Sequence, residues 1–195
     1  MKLKMPASVD IIIDSLQANG YEAYAVGGCV RDSILGRDPD DWDITTSATP
    51  WEEKAAFGRT VDTGLQHGTV TVLLGNHAHE VTTYRIDGDY EDGRHPKDVT
   101  FTASLEEDLK RRDFTINAMA YNDKSGLIDL YGGVDDIQRG CIRCVGNAEE
   151  RFGEDALRIL RALRFSAQLG FGIEQDTYDA ICKLAQTLEK ISAER

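Results

Sequence analysis

Two aspartates separated by one residue, Asp41 and Asp43, form the first pattern in the sequence that could do chemistry. The stretch from Asp41 to Thr45 alternates polar and apolar side chains. This predicts a strand with both carboxylates on one face, their Cα atoms roughly 6–7 Å apart. Such a pair can hold two Mg²⁺ ions about 3.5–4 Å apart, an arrangement that promotes in-line displacement at phosphorus. The alternative is that both side chains belong to a solvated acidic run that begins at Asp38.

A glycine pair, Gly27-Gly28, precedes these aspartates and stands between a predicted strand and a short predicted helix. Glycine lets a backbone approach a phosphate closely, and a helix N-terminus presents free N–H groups with a favourable dipole. Arg31 follows and could add a charge-assisted contact to a triphosphate. The segment matches neither a P-loop nor the G-x-G-x-x-G dinucleotide pattern, so an ordinary tight turn is the alternative.

An arginine pair, Arg111-Arg112, ends a helix that is predicted from the capping-box signature starting at Ser104. At a helix end, two arginines can serve the last backbone carbonyls as a cap. They could equally bind a triphosphate or a ribose, with Asp113 and Asn117 orienting them.

A second basic group lies in the stretch that is predicted to be helical from about residue 147, on a helix with Ala156, Ile159, Leu160, Leu163 and Ala167 as its apolar face. Its polar face carries Arg158, Arg161 and Arg164 within an arc of about 120°. Asp155 is three residues before Arg158, so the two side chains should be neighbours. A solvated charged face with one internal ion pair is the alternative.

Taken together and in this order, the motifs resemble those of the class II tRNA nucleotidyltransferases, the CCA-adding enzymes, within the polymerase-beta-like nucleotidyltransferase superfamily. The resemblance runs from about Tyr21 to the chain end. It rests on five motifs, which are Gly-Gly-x-Val-Arg-Asp, Asp-Trp-Asp, Gln66-His67-Gly68-Thr69-Val70, Arg-Arg-Asp-Phe-Thr-Ile-Asn-Ala and Glu-Asp-x-x-Arg. It implies a nucleotidyltransferase head followed by a helical neck, with Mg²⁺ as the cofactor.

The resemblance also implies catalytic roles for particular residues. Asp41 and Asp43 match the carboxylates that bind catalytic magnesium, and Glu80 matches a third active-site carboxylate. The stretch that begins with Arg85 and Asp87 and reaches residue 96 resembles a flexible loop found in enzymes able to add the final A.

Residues that match the nucleotide site of the family come from three motifs. They are Gly28, Arg31, Arg112, Asp155, Arg158, Arg161 and Arg164. In the family the first three contact the triphosphate, and the Glu-Asp-x-x-Arg helix selects the base. That selection is chemically reasonable, because cytosine and adenine both present an amino donor beside a ring-nitrogen acceptor. A carboxylate at Asp155 and a guanidinium at Arg158 would suit both bases, whereas guanine and uracil reverse that edge.

Composition limits the remaining function classes. The 195 residues include 34 acidic and 22 basic side chains, a net charge of −12, which argues against nucleic-acid binding through a broad basic surface. No stretch approaches the roughly 20 apolar residues of a membrane helix, so we expect no membrane partner and a cytoplasmic location. Cys141 and Cys144 form a C-x-x-C without a second pair or a nearby histidine, and the four cysteines are expected to be free thiols.

The expected fold class is α/β, in the mixed α+β sense. A catalytic head spans residues 1–146, with a mobile polar loop over 85–98. The start of an all-helical neck spans 147–195. We expect a last helix, with Tyr178, Ile181, Leu184, Leu188 and Ile191 on its apolar face, to be cut off by the chain end. Such a piece would bind nucleotide but bind tRNA more weakly than a longer form, and its uncovered face could produce a homo-oligomer.

The expected function is template-independent addition of C, C and A to the 3′ end of tRNA from CTP and ATP, with release of pyrophosphate. A CC-adding enzyme, an A-adding enzyme and a poly(A) polymerase share the expected fold and stay open as alternatives. A nucleotidyltransferase acting on a small molecule or protein and a non-catalytic nucleotide-binding module are more distant ones.

Overall fold

A mixed β-sheet is the centre of the structure, a computed structural model that describes residues 1–88 and 99–191. The strands of the described residues are β1 (Ala23–Val26), β2 (Ile44–Thr46), β3 (Thr60–Gly64), β4 (Thr69–Leu74), β5 (His77–Thr83), β6 (Arg85–Asp87), β7 (Val99–Phe101), β8 (Met119–Asn122), β9 (Gly126–Asp129), β10 (Cys141–Ile142) and β11 (Gly172–Ile173). Within this part of the chain, seven of them form the main sheet in the order β3-β4-β5-β2-β1-β8-β9.

Helices cover the sheet and continue beyond it. They are α1 (Ala7–Ala18), α2 (Gly28–Ile34), α3 (Pro50–Ala56), α4 (Leu105–Lys110), α5 (Gly133–Arg139), α6 (Ala148–Glu154), α7 (Leu157–Leu169) and α8 (Gln175–Leu184). Short 3₁₀ helices span Leu65–His67, Thr115–Asn117 and Ala185–Lys190. Helix α1 buries Val9, Ile12, Ile13 and Leu16, the set that its sequence spacing predicts.

The register of the central strands brings parts of three strands together. β1 pairs with β2 in antiparallel fashion, with Ala25 opposite Ile44, and the N–H of Val26 donates to the carbonyl of Asp43 at 3.0 Å. β2 pairs with β5 in parallel, with Ile44 opposite Val81. The turn after β1, the residues before β2 and the middle of β5 therefore meet in one region of the sheet.

Several local predictions are confirmed. The hairpin of β4 and β5 pairs Leu74 with His77 around the expected Gly75-Asn76 turn. Helix α4 starts after Ser104, whose Oγ accepts from the N–H of Glu107 at 3.4 Å. This is the N-cap half of the predicted capping box.

Two predictions about loops and strands are wrong. The strand predicted over Asp41 to Thr45 begins only at Ile44, although Asp41 and Asp43 remain exposed while Trp42 is buried. The loop predicted over 85–98 starts and ends in an antiparallel pair, since Arg85 lies opposite Phe101. Residues 89–98 of that loop lie outside the described residues.

Predictions for the C-terminal part were also partly wrong. The chain after residue 147 is not purely helical, because Gly172 and Ile173 in β11 pair in parallel with β10. Helix α7 buries Arg158, Ile159, Ala162 and Phe165, whereas Leu163 of the predicted apolar face is 46% exposed. Part of its arginine face points inward, where Arg158 pairs with Glu154 and Arg161 pairs with Asp113 and lies over the Phe165 ring.

The last predicted helix ends earlier than expected. Helix α8 stops at Leu184 and a 3₁₀ helix follows, so it does not run into the chain end. Ile181 is buried, and Leu184 and Leu188 pack against the main core. The apolar face expected to be uncovered is therefore largely covered, with Tyr178 left 50% exposed.

Candidate functional site

The turn after β1 has a backbone that only glycine adopts easily. Gly27 has φ +83° and ψ −130°, and its N–H donates to the carbonyl of Met119 at 3.2 Å. A Cβ atom at this position would lie 3.3 Å from Nη1 of Arg112. The first glycine thus combines a positive φ with a close approach by an arginine that lies two residues after α4.

Asp41 and Asp43 stand beside this turn with their carboxylates exposed. In residues 1–88 and 99–191, neither carboxylate takes part in a hydrogen bond or salt bridge. Although Asp43 is exposed, surrounding protein atoms partly desolvate its carboxylate and raise its pKa; the Arg112 guanidinium opposes that rise, and Asp41 adds to it. Because Val81 lies opposite Ile44 in a parallel pair, the register puts Glu80 beside Asp43, and Glu80 is exposed.

The chemistry of these donors fits a divalent cation. Two unpaired carboxylates close enough to repel each other lose that repulsion when a cation binds, and Mg²⁺ prefers oxygen ligands. The described residues contain no cluster of three or more His, Cys, Asp or Glu side chains able to hold a metal. A cation here would therefore take further ligands from water and substrate phosphates, as Mg²⁺ commonly does.

A cavity of about 400 Å³ opens next to Asp43. Of the residues proposed from the sequence, it is lined by Gly28, Arg31, Asp43, Arg112, Asp155, Arg158 and Arg161. Residues from α2, from the segment that follows α4 and from α7 thus meet across one space, although they are distant in the chain. Arginines dominate the lining, which suits a polyanionic ligand such as a triphosphate.

The buried guanidinium of Arg31 is fixed on two sides. Its Nε and Nη2 each donate to the Asp32 carboxylate at 2.9 Å, and Nη1 donates to Oδ1 of Asn117 at 2.6 Å. Asn117 in turn donates to Asp113 at 3.2 Å, and Asp113 accepts from Nε of Arg161 at 2.6 Å. This chain of charge-assisted hydrogen bonds connects α2 to α7 across the cavity.

Asp108, in α4, holds the arginine pair that follows it. Its carboxylate is fully buried and accepts from Arg111 at 2.9 and 3.0 Å, from Arg112 at 3.2 Å and from the Thr45 hydroxyl at 3.2 Å. Burial alone would raise the pKa of Asp108, but the guanidiniums of Arg112 and Arg111 outweigh it and lower the pKa. The arginine pair is thus held by an ionised buried carboxylate, and its expected role as a simple helix cap is secondary.

The helix expected to read the base enters the cavity through Asp155 and Arg158. Arg158 is buried and donates to Glu154 at 2.6 Å, to the Arg151 carbonyl at 3.0 Å and to the Arg111 carbonyl at 3.2 Å. One carboxylate oxygen of Asp155 accepts from the N–H of Leu157 at 2.9 Å. Both side chains are therefore oriented by the protein and line the same space.

Other proposed site residues lie outside the cavity lining. Asp41 lies before β2, Glu80 lies within β5, and Arg164 is an exposed residue of α7. Arg85 and Asp87 belong to β6, where Arg85 donates to the His67 carbonyl and forms a 3.3 Å ion pair with Asp87. Asp87 also lies 3.9 Å from Arg111, which links the pair of β6 and β7 to the arginines of the cavity wall.

Two residues of the site were missed in the sequence. Phe165 lines the cavity but is not part of the apolar face predicted for α7; it stands seven residues after Arg158, a spacing that puts an aromatic ring on the arginine face and could have singled it out. Asp108 is one of several acidic residues in the first turn of α4, where acidic side chains are common at any helix start. A signal was present, since Asp108 precedes Arg111 and Arg112 by three and four residues.

The cysteines take no part in this site. All four are free thiols, and burial raises the pKa of both Cys29 and Cys144 to about 12. Burial also raises the pKa of Cys141, and thiols with a raised pKa react poorly at neutral pH. In the part of the chain that the structure describes, no helix is long and apolar enough to cross a membrane.

The fold and site agree with a match to a protein family. Residues 23–143 match the model of the poly A polymerase head domain, and residues 170–195 match that of a probable RNA and SrmB-binding site of polymerase A. The architecture is that of a polymerase-beta-like nucleotidyltransferase head, as the motifs predicted. The chain belongs to the poly A polymerase head domain family.

Within that family the chain is most informatively compared with CCA-adding enzymes. It is 56% identical over 184 residues to the CCA-adding enzyme of Lactiplantibacillus plantarum. The aligned region covers 94% of this chain and 45% of the relative. It is 53% identical over 184 residues to that of Oceanobacillus iheyensis, covering 94% and 46%. The predicted resemblance to class II tRNA nucleotidyltransferases is confirmed.

Solved structures give the same result. The Bacillus stearothermophilus CCA-adding enzyme in complex with CTP matches with a TM-score of 0.89 at 49% identity, covering 98% of this chain and 47% of that one. A CCA-adding enzyme in complex with ATP matches with a TM-score of 0.77 at 30% identity, covering 96% and 44%. The chain thus spans about half the length of the relatives it matches.

Proposed function

We propose that this chain is the nucleotide-selecting and catalytic part of an enzyme that adds C, C and A to the 3′ end of tRNA. The observation that carries the proposal is the single cavity lined by Asp43 and the arginines Arg31 and Arg112 on one side and by Asp155 and Arg158 on the other. A nucleoside triphosphate needs both kinds of contact. The similarity to CCA-adding enzymes supports this choice among triphosphate-using activities.

Arg31 and Arg112 would bind the triphosphate. Their guanidiniums are already fixed by Asp32 and Asn117 in one case and by Asp108 in the other, so little side-chain entropy is lost on binding. Charge-assisted contacts from fixed donors also stabilise the charge that develops as the leaving pyrophosphate departs. In phosphoryl transfer such positioning and charge stabilisation provide most of the catalysis.

Asp41 and Asp43 would hold Mg²⁺, with Glu80 as a third carboxylate next to Asp43. Nucleotidyltransferases of this family generally use a divalent metal, and our assignment of magnesium rests on the hard oxygen donors. When bound, the metal supplies activation of the attacking 3′-hydroxyl and neutralisation of phosphate charge.

Asp155 and Arg158 would read the base edge without a nucleic-acid template. The carboxylate accepts from the exocyclic amine of cytosine or adenine, and the guanidinium donates to the adjacent ring nitrogen. Uracil and guanine present a carbonyl and a ring N–H at those positions, which leaves both protein groups unpaired. The free-energy cost of burying these unpaired polar groups would disfavour UTP and GTP relative to CTP and ATP. Arg161 and Arg164 would extend the same basic surface.

We also propose how the chain is divided between head and neck and where in the cell the enzyme works. Residues 1–146 form the catalytic head and residues 147–195 begin the neck that reads the base. The tRNA 3′ end is the acceptor, and the pair of β6 and β7, with Arg85 and Asp87, carries the loop needed for the final A. The enzyme works in the cytoplasm, where tRNA, CTP and ATP are available.

An extension assay at single-nucleotide resolution tests the function. The chain is incubated with tRNA transcripts that end before C, before CC or before CCA, with each of the four nucleoside triphosphates and with the pair of CTP and ATP. Ordered addition of C, C and A is the expected result. A long tail of A from ATP alone would favour a poly(A) polymerase, and nucleotide binding without pyrophosphate release would favour a non-catalytic module.

A further inference from the structure

The ring of Phe165 lies close to guanidinium groups from both sides of the cavity. Phe165 in α7 is 8% exposed and lines the cavity beside Arg31 and Arg161. The Cζ atoms of Arg31, Arg161 and Arg164 lie 5.0, 5.3 and 5.0 Å from its ring centroid. These distances are within the range at which a cation is attracted by the face of a ring.

The ring itself is held in place by a second aromatic side chain. Phe114 packs against Phe165 with ring centroids 6.0 Å apart and planes at 85°, an edge-to-face arrangement. Phe114 is fully buried and belongs to the segment between Arg112 and the 3₁₀ helix that carries Asn117. The orientation of the Phe165 ring is therefore fixed by the same segment that provides the other cavity residues.

The charges around this ring are not balanced by carboxylates alone. Arg31 is paired with Asp32 and Arg161 with Asp113, but Arg164 forms no salt bridge within the described residues. Like charges held this close repel one another, and the negative face of a desolvated ring offsets part of that repulsion. An aliphatic side chain of similar size would fill the space without providing that attraction.

We propose that Phe165 is a positioning residue, whose ring holds the guanidiniums of Arg31 and Arg161 in place in the cavity and so orients Arg31 for a triphosphate. The inference rests on the proposed function and adds a residue that neither the motifs nor the comparisons assign. Arg31 comes from α2 and Phe165 from α7, so the ring also joins the two walls of the site. Its effect should fall on triphosphate affinity and leave the choice of base to Asp155 and Arg158.

Binding of CTP in the presence of Mg²⁺, measured by calorimetric titration of the chain and its variants, tests this role. Phe165→Leu and Phe165→Met keep an apolar side chain without a ring, and both are expected to bind CTP about tenfold more weakly. Phe165→Tyr restores a ring and is expected to recover most of the affinity. Phe152→Leu is the matched control, because Phe152 is fully buried in α6 and makes no ring contact with a cation in the described residues. Affinity for CTP in the Leu and Met variants equal to that of the unmodified chain would overturn the proposal.

A second measurement needs no variant that could fail to fold. A ring centred about 5 Å from a guanidinium shifts the NMR resonance of the arginine Hε proton through its ring current. The Hε resonances of Arg31 and Arg161 in the unmodified chain are expected to be displaced from the main arginine group. Unshifted resonances would overturn the proposal even if CTP binds normally. Failure of the unmodified chain to bind CTP or ATP, with shifted resonances, would instead count against the proposed function.

Discussion

Arg31 and Asn117, separated by 86 positions in the chain, are joined by a buried hydrogen bond of 2.6 Å between Nη1 and Oδ1. The bond ties the helix after the glycine turn to the segment that follows the arginine pair. Because Asn117 also donates to Asp113, one amide connects the triphosphate side of the cavity with Arg161 on the opposite helix. The cavity walls are therefore held together by polar contacts between its own lining residues.

Replacing that amide should weaken both the fold and the site. Asn117→Ala removes one hydrogen bond to a charged donor and one to a charged acceptor, which typically costs about 2–3 kcal/mol of unfolding free energy. Affinity for CTP should fall as well, because Arg31 loses one of its two anchors. Urea unfolding and calorimetric titration check the two effects. An Asn117→Ala chain with unchanged stability and unchanged CTP affinity would show that the amide merely fills space.

Variants of the two carboxylates before β2 should lose activity without losing stability. Asp43→Asn and Asp41→Asn should abolish nucleotide transfer while the melting temperature stays the same or rises. Exposed carboxylates contribute little stability, and the partial desolvation that raises the pKa of Asp43 disfavours its charge in the fold. Incorporation of labelled CMP into tRNA with excess Mg²⁺ is the measurement. Asp38→Asn, in the same acidic run, is the control and should retain activity; near-normal transfer by the Asp41 and Asp43 variants would refute the metal assignment.

Asp155 should matter more for the choice of base than for the binding of the triphosphate. Asp155→Ala removes the acceptor for the exocyclic amine, so the preference for CTP over UTP should drop by at least about tenfold. Incorporation ratios measured with all four nucleoside triphosphates check this. Asp176→Ala is a suitable control, because Asp176 is an exposed aspartate of α8 outside the cavity lining. Ratios that are the same in the Asp155 variant and the unmodified chain would contradict the assignment.

A buried glutamate away from the site should make stability depend on pH. Glu53 is fully buried in α3, its Oε1 accepts from the Thr83 hydroxyl at 3.1 Å, and its Oε2 has no partner in the described residues. Burial raises the pKa of Glu53 to about 8, and Glu52 adds to the effect, while the Thr83 hydrogen bond opposes it. Between the ordinary value near 4.5 and about 8, the unfolded chain releases a proton that the native chain keeps.

Stability should therefore fall as the pH rises through that window. Glu53→Gln removes the titration and should make the chain more stable than the unmodified form at pH 8, by more than about 1 kcal/mol. The difference should shrink toward pH 5, where the glutamate is protonated in the native state. Chemical unfolding at several pH values is the measurement. A stability difference that does not vary with pH would mean that Glu53 is already ionised in the fold.

Local patterns in the sequence were sufficient where neighbouring residues decide the structure. The glycine turn, the hairpin around Gly75 and the N-cap at Ser104 depend on a few adjacent residues, and each was predicted. Most residues that line the candidate cavity also come from motifs that the sequence singles out, because those motifs are short and their residue types suit phosphate and metal chemistry.

What could not be predicted depends on contacts between distant segments. The buried side of α7 was assigned wrongly because amphipathic spacing assumes that arginines face water, whereas Arg158 is buried against Glu154 and backbone carbonyls. Phe165 has a role only through arginines from two helices. The pairing of β10 with β11 joins two-residue strands 31 positions apart, too short to leave a periodic signal.

The central claim is that one cavity serves both the triphosphate and the base of a single nucleotide. A crystal structure of this chain with CTP and Mg²⁺ tests it most directly. We expect the phosphates to lie against Arg31 and Arg112 beside Asp43, with the cytosine amine donating to Asp155 and Arg158 donating to the ring nitrogen. A cytosine ring bound elsewhere, or a triphosphate that avoids Arg31 and Arg112, would contradict it.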